Sequence, residues 1–306
     1  MVISIPMTIR EHMTKAHQVP VTGLRCLRDQ FPLRVRRENV TGMMIAAIVV
    51  PGSGRPVVFV HGNSSTKVVW ANQIAFIRQQ RRPCLALDLP GHGESDDSHE
   101  PDVTYTSTGY SVIVRGFLDR LRWTAVDVVG WSLGGHIGLE LLASDPRLRS
   151  LLIVGTPPGR PCVQDLASAF YDSPNMQLAG KLVFSDDDAI AYGSAMMGGR
   201  EYLTTQLLAC IKRTDGKARQ CLFESVINGV GTDQGNTVAT SGKPLCIVHG
   251  DLEPFVRLDY LRSLRYRALW RGRIQVIRDA GHAPHWQKAD LFNRILWNFL
   301  QFAEVG

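Results

Sequence analysis

The run VDVVGWSLGGHIGL at residues 126–139 constrains this chain more than any other stretch. Its first four residues are β-rich and stop at Gly130. Gly130-Trp131-Ser132-Leu133-Gly134 fits G-x-S-x-G, and helix-permissive residues follow. The run predicts a strand, a sharp turn with a serine at its apex, and a helix. So tight a turn forces the serine into a crowded backbone conformation, and a glycine on each side leaves room for strand and helix to approach. The N–H of Leu133, at the helix start, then points to where an oxyanion would form. The pentapeptide also recurs by chance, and a serine in that place can simply cap a helix. The rest of the chain must therefore supply the other parts in the right order.

With 306 residues, 44% hydrophobic and 20% charged, the chain has material for one large α/β domain or two small ones around a sizeable core. The formal charge is +6, with arginines gathered at residues 25–37 and 262–273. The second cluster interleaves with Leu261, Leu264, Tyr266, Leu269 and Trp270, so it reads as the solvated face of a helix. No nucleic-acid motif accompanies it, and no nucleic-acid partner is expected. The six cysteines are widely scattered, without C-x-x-C or Cys/His ligand spacing. Cys84 and Cys246 lie in or beside apolar runs as buried thiols. The N-terminal residues lack the apolar core of a signal sequence, and no stretch approaches a membrane span. These features together predict a cytoplasmic protein with no membrane partner.

Residues 1–30 show no clear period and read as an extension outside the fold. Residues 31–38 alternate as an edge strand, 39–42 make a turn, and 43–50 form a second, antiparallel strand. Residues 56–60 are a continuous apolar strand of the kind buried on both faces. A helix over 67–82, a strand over 84–87, a helix over 105–121, the serine strand with its helix over 133–143, and a strand over 151–154 follow. The rhythm stops at residue 157 and resumes at 245–248. A helix near 258–269, a strand over 274–277 and a closing helix over 289–302 come last. In that closing helix Leu291, Ile295, Phe299 and Phe302 share a face. Alternating strands and helices predict a mostly parallel, doubly wound α/β sheet. Residues 31–156 and 241–306 make its core, and 157–240 an inserted helical cap.

Three further stretches follow strand ends, where such sheets place their sites. In His61-Gly62-Asn63, the N–H of Asn63 would be a second oxyanion donor, and His61 reads as a structural residue fixing the loop. In HGDLEPF, both Asp251 and Glu253 qualify as the carboxylate that orients a base, or as caps of the next helix. In DAGHAPH, His282 is the candidate general base, His285 its rival and Asp279 a local structural partner. The order Ser132, acid, His282 is that of a serine hydrolase built on an α/β sheet.

From residue 31 onward the chain resembles the α/β-hydrolase-fold serine hydrolases. More narrowly, it is similar to the metal-independent N-acyl-homoserine lactone hydrolases of that fold. The stretches that carry the likeness are HGNSS (61–65), DLPGHGES (88–95), GWSLGGHIG (130–138), GTPP (155–158), RTDGKAR (213–219), EPFV (253–256) and DAGHAP (279–284). The resemblance implies hydrolysis of a lactone ring by Ser132, His282 and Glu253, with the N–H groups of Asn63 and Leu133 as oxyanion hole. It favours Glu253 over Asp251, because these relatives carry Glu at that position. It implies a substrate-contacting cap tyrosine at Tyr192, a second substrate contact from the Asn63 side chain, and no metal or other cofactor. An acyl tail would lie against residues such as Met176, Leu178, Leu182, Phe184, Met196 and Met197. The partner is then a small-molecule lactone or ester, and the biological role quorum quenching. Residues 1–30 have no counterpart in these relatives, and residues 195–203 diverge. No H-x-H-x-D-H metal motif occurs, and serine rather than aspartate at the elbow argues against epoxide hydrolases and haloalkane dehalogenases. The rival readings are a general carboxylesterase on small esters, a non-catalytic ligand receptor of the same fold, and a lipid-surface enzyme.

Overall fold

The structure, a computed structural model, describes residues 35–305. The extension at 1–30 and the start of the strand expected at 31–38 lie outside the described residues. Among the described residues eight strands form one sheet: β1 (Val35–Val40), β2 (Met43–Val50), β3 (Val57–Val60), β4 (Cys84–Leu87), β5 (Val126–Trp131), β6 (Leu148–Val154), β7 (Leu245–Gly250) and β8 (Gln275–Ile277). Their order is β1-β2-β4-β3-β5-β6-β7-β8. β2 runs antiparallel to β1 and β4, and every pair from β4–β3 to β7–β8 is parallel. β3, β4, β5 and β7 are buried along their whole length. That matches their unbroken apolar runs, because parallel strands are covered by helices on both faces.

The first hairpin differs from its expected register. Thr41 and Gly42 both take positive φ (50° and 88°), the two-residue turn whose twist suits a hairpin. This turn needs only those two residues, so Asn39 and Val40 join the strand and pair with Met44 and Met43.

Helices α1 (Ala71–Gln79), α2 (Ser107–Leu121) and α3 (Leu133–Ser144) follow β3, β4 and β5. The helix expected over 67–82 is a 3-10 turn, Lys67–Trp70, capped by Thr66 and continued by α1. Between β6 and β7 lie α4 (Val163–Ala169), α5 (Asp186–Met197), α6 (Thr205–Arg213), α7 (Gly216–Ile227) and α8 (Gln234–Thr240). α9 (Leu258–Ser263) is shorter than expected, and α10 (Ala289–Val305) closes the described chain. α10 buries Phe292, Leu296, Phe299, Leu300 and Ala303, while Leu291 and Phe302 are 38% and 52% exposed. The helix carries two offset apolar stripes, and the one that meets the core includes Phe299 but not its expected companions Leu291 and Phe302.

β3 and β5 are neighbours, yet the chain leaves β3 toward β4 on one side and β5 toward β6 on the other. Their carboxyl ends are thus the switch point of the sheet, where a crevice opens. The loop 61–66 and the turn at Ser132 both emerge there.

Candidate active site

Ser132 sits at φ 52° and ψ −116°, between β5 and α3. Sequence accounts for how this strained turn is tolerated. A Cβ on Gly130 would fall 2.2 Å from the Gly134 carbonyl oxygen, and one on Gly134 would fall 2.1 Å from that of Val60. The Ser132 N–H donates to the Val154 carbonyl (2.9 Å), and Thr156 Oγ1 donates to the Ser132 carbonyl (2.9 Å). The apex is therefore anchored on both its backbone polar groups, which offsets a conformation that costs on the order of 1–3 kcal/mol.

His282 follows β8 and Glu253 follows β7, and the fold brings them together. His282 Nδ1 donates to Glu253, with 2.8 Å to each carboxylate oxygen. The Phe255 N–H donates to the same carboxylate at 2.9 Å. Both side chains are buried, at 2% and 1% exposure. Burial works against the charge on Glu253, but the His282 ring and the Phe255 N–H outweigh it and hold the carboxyl below its ordinary value. Trp131 Nε1 donates to the His282 carbonyl (2.8 Å), which ties the histidine loop to the serine strand. Gly155 leaves room for the ring: a Cβ there would lie 2.7 Å from His282 Cε1. With Nδ1 committed to Glu253, His282 Nε2 is left buried and without a partner among the described residues. Ser132 and His282 line one cavity but are not hydrogen-bonded to each other. Such contacts are often loose without substrate and tighten in the reacting complex.

The alternatives fall elsewhere. Asp251 is exposed and accepts only a long bond (3.4 Å) from the Ala280 N–H. Asp279 is exposed at φ 52°, a turn residue. His285 is fully buried against Trp70 (4.4 Å between centroids) and Trp131 (4.9 Å), with neither ring nitrogen bonded among the described residues. His61 Nδ1 donates to the Gly62 carbonyl (2.8 Å), and its Nε2 accepts from the Leu89 N–H (3.0 Å), so it locks the loop in one neutral tautomer. His92, for which no sequence signal stands out, does the same work one loop away. Its Nδ1 meets the Pro90 carbonyl (2.9 Å) and its Nε2 accepts from the Ser64 N–H (3.1 Å). Burial lowers the pKa of both rings.

Asn63 and Leu133 line the same cavity as Ser132. The Leu133 N–H opens α3, so it has no carbonyl one turn back to bond. The Asn63 side chain, which the resemblance offers as a substrate contact, is bonded within the protein. Its Nδ2 donates to the Ala179 carbonyl (2.9 Å) and its Oδ1 accepts from Ser64 Oγ (3.2 Å). It ties the insertion to the core.

Tyr192 on α5 is 2% exposed and also lines the cavity, and burial raises its pKa. The cavity holds about 140 Å³. Of the six side chains expected along an acyl tail, Met176 and Met196 line it, whereas Leu178, Leu182, Phe184 and Met197 do not. Leu182 faces outward, 44% exposed. Leu166, Phe170, Leu222, Phe223, Val226 and Phe255 supply the apolar wall instead. Helical periodicity shows which residues share a face, but not which face meets a cavity. Among the described residues, no group of three or more His, Cys, Asp or Glu side chains could hold a metal ion. No helix of the described residues is long and apolar enough to cross a membrane.

The profile of the Alpha/beta hydrolase family matches residues 57–295, and the chain belongs to that family. Its fold is similar to crystal structures of the N-acyl homoserine lactonase AidH. The structure of AidH complexed with N-butanoyl homoserine superposes with a TM-score of 0.84 at 36% identity, covering 88% of this chain and 97% of that one. By sequence, a 2-hydroxy-6-oxononadienedioate/2-hydroxy-6-oxononatrienedioate hydrolase from Cupriavidus pinatubonensis is 24% identical over 264 residues, 80% of this chain and 86% of that protein. The acetyltransferase component of the acetoin cleaving system of Cupriavidus necator is 25% identical over 263 residues, 84% of this chain and 67% of that protein. The chain is thus a hydrolase of the α/β fold.

Proposed function

We propose that the protein opens the ring of N-acyl-homoserine lactones, with Ser132, His282 and Glu253 as its triad and without a metal. The observation that carries this reading is the buried His282–Glu253 pair, whose free Nε2 belongs to the same apolar-walled cavity as Ser132. Likeness to a lactonase structure holding an acyl-homoserine supports the substrate class.

In the proposed reaction His282 Nε2 takes the proton of Ser132, or of a water held beside it. The oxygen attacks the lactone carbonyl, and the N–H groups of Asn63 and Leu133 receive the developing negative charge. One such donor contributes about 3 kcal/mol to the barrier reduction. Glu253 keeps Nδ1 protonated and stabilises the imidazolium, and takes up no proton itself. His282 then protonates the ring oxygen as it leaves, giving the open acyl-homoserine. If Ser132 is acylated, a water activated by the same nitrogen releases it. Tyr192 holds the head of the substrate, and the acyl tail lies against Met176, Met196 and Phe223. Removing such lactones from a medium is quorum quenching.

The test is ring opening measured by titrated acid release, on lactones of varied chain length and on aryl esters, in excess chelator. Rapid lactone opening that survives chelation supports the reading. Turnover of aryl esters alone would make the protein a general carboxylesterase. Tight lactone binding without turnover would make it a receptor.

A further inference from the structure

The cavity does not end at Ser132. It continues along α3, where His136 and Glu140 also line it. His136 and Glu140 are spaced by four and so share one face of the helix, at whose start Ser132 stands as the capping position. His136 stands one turn, about 6 Å, from the serine.

A chain of hydrogen bonds fixes how the His136 ring is protonated. Glu140 is buried and accepts from the Thr232 N–H and Oγ1 (3.1 Å each), from Gln234 Nε2 (3.3 Å) and from Thr108 Oγ1 (3.4 Å). Gln234 Nε2 also donates to the His136 carbonyl (3.3 Å). The amide of Gln234 thus has its nitrogen against two acceptors, and its Oε1 must face the other way. That oxygen lies 2.7 Å from His136 Nδ1. An oxygen there accepts, so Nδ1 carries the proton and Nε2 carries a lone pair. Among the described residues Nε2 has no partner, and His136 lines the cavity.

From this relay we infer that His136 is a specificity-determining residue that accepts a hydrogen bond from a hydroxyl at the third carbon of the acyl chain. This rests on the lactonase reading above. The oxygen on that carbon is six bonds from the lactone carbonyl carbon, a reach comparable to the single helical turn between Ser132 and His136. A hydroxyl there donates to Nε2. A keto oxygen has only lone pairs and meets another lone pair. Glu140 and Gln234 are positioning residues: they act through the tautomer of His136.

The test compares kcat/KM for 3-hydroxyacyl-, 3-oxoacyl- and unsubstituted acyl-homoserine lactones of one chain length. A buried hydrogen bond exchanged for an unpaired acceptor predicts a preference of about tenfold or more for hydroxy over oxo in the unaltered protein. In His136→Leu the ratio falls toward one. In Gln234→Leu, where Nδ1 loses its acceptor, it falls as well, which a purely structural loss would not cause because the ratio cancels any common drop in activity. A wild-type ratio below about threefold, or one that survives in His136→Leu, overturns the inference. Equal losses on all three substrates in His136→Leu overturn it too, because the nitrogen would then serve the amide common to them. If the wild-type protein opens none of the lactones, the functional reading itself has failed, and the inference falls with it. That outcome is distinct from lactone turnover without the preference.

Discussion

The core and the insertion between β6 and β7 hold their side chains in different ways. In the core each candidate group is fixed by backbone or by buried polar bonds. Ser132 is strained but anchored through Val154 and Thr156, and His282 is pinned between Glu253 and the indole of Trp131. In the insertion the cavity wall is largely apolar, and polar bonds tie it to the core from several of its segments. Tyr105 Oη donates to Asp215 (2.8 Å), and the Asp215 N–H donates to the Gly91 carbonyl (2.9 Å). Arg219 spans from the Lys181 carbonyl (2.7 Å) to Ser64 Oγ (3.3 Å) and lies over Phe184. The insertion also leaves apolar side chains such as Val183 (71%) and Ile227 (44%) exposed. On the proposed function the core supplies the groups that attack the bond, and the insertion supplies most of the apolar wall that admits the substrate. Variants in the first should change kcat, and variants in the second should act on KM and stability.

The sharpest way to break this division is at the apex. Ser132→Ala should lower turnover by on the order of 10⁴-fold or more with little change in folding, read by lactone titration beside circular dichroism. Near-native rates would remove the serine from the chemistry. Glu253→Gln comes next, with a loss of kcat about two decades smaller than that of the serine variant. Asp251→Asn should change kcat by no more than about threefold, since its carboxylate is exposed and bonded only weakly. A larger loss at Asp251 would reassign the carboxylate.

The same division explains what could be read from sequence. Ser132, Glu253 and His282 each stand in a short motif just past a strand, so local pattern and chain order were enough to nominate them. β4 occupies the expected residues 84–87 because four apolar residues end abruptly at Asp88. Glu253 was separated from Asp251 only by resemblance, since both follow β7 within three residues. The partner of the Asn63 amide, the Ala179 carbonyl, is 116 residues away in an irregular part of the insertion. No local signal points to it. The cavity wall was poorly legible for the same reason: Leu182 and Met176 are similar in kind, and only tertiary packing turns one outward and the other in. α10 shows the limit within one helix, where two apolar stripes compete and the sheet selects one.

A fourth prediction sharpens the comparison on the insertion side. Tyr105 Oη donates to Asp215 and accepts from the Ser98 N–H (2.7 Å), while the ring is fully buried. Tyr105→Phe keeps the ring and removes both bonds. It should lower stability by about 2 kcal/mol, as expected for a bond to a charged group, read from urea unfolding. KM should rise while kcat stays within about threefold, because no reacting group is touched. A fall in kcat with unchanged KM would mean that the insertion tunes the chemistry, and the division would fail.

The smallest effect tests the core against itself, through its two neighbouring histidines. His282 is bonded to a carboxylate, whereas His285, three residues on, is packed among Trp70, Trp131 and Phe292 with neither nitrogen bonded. Burial, with His282 nearby, drives the pKa of His285 well below its ordinary 6.5. The unfolded chain therefore takes up a proton below about pH 6.5 that the folded chain refuses. Stability falls as pH drops through that window and recovers as pH rises above it. His61 and His92 add to the same slope, but their nitrogens hold loops in place, so removing them would damage the fold. His285 is the one whose removal isolates the proton. In His285→Phe the loss of stability between pH 6.5 and 5.5 should be smaller than in wild type by about 1 kcal/mol, whatever offset the larger ring adds at neutral pH. Unfolding curves at a series of pH values give the slope directly. Parallel slopes for the two proteins would mean that His285 is protonated in the fold, and that an aromatic cage so close to the candidate base tolerates a charge.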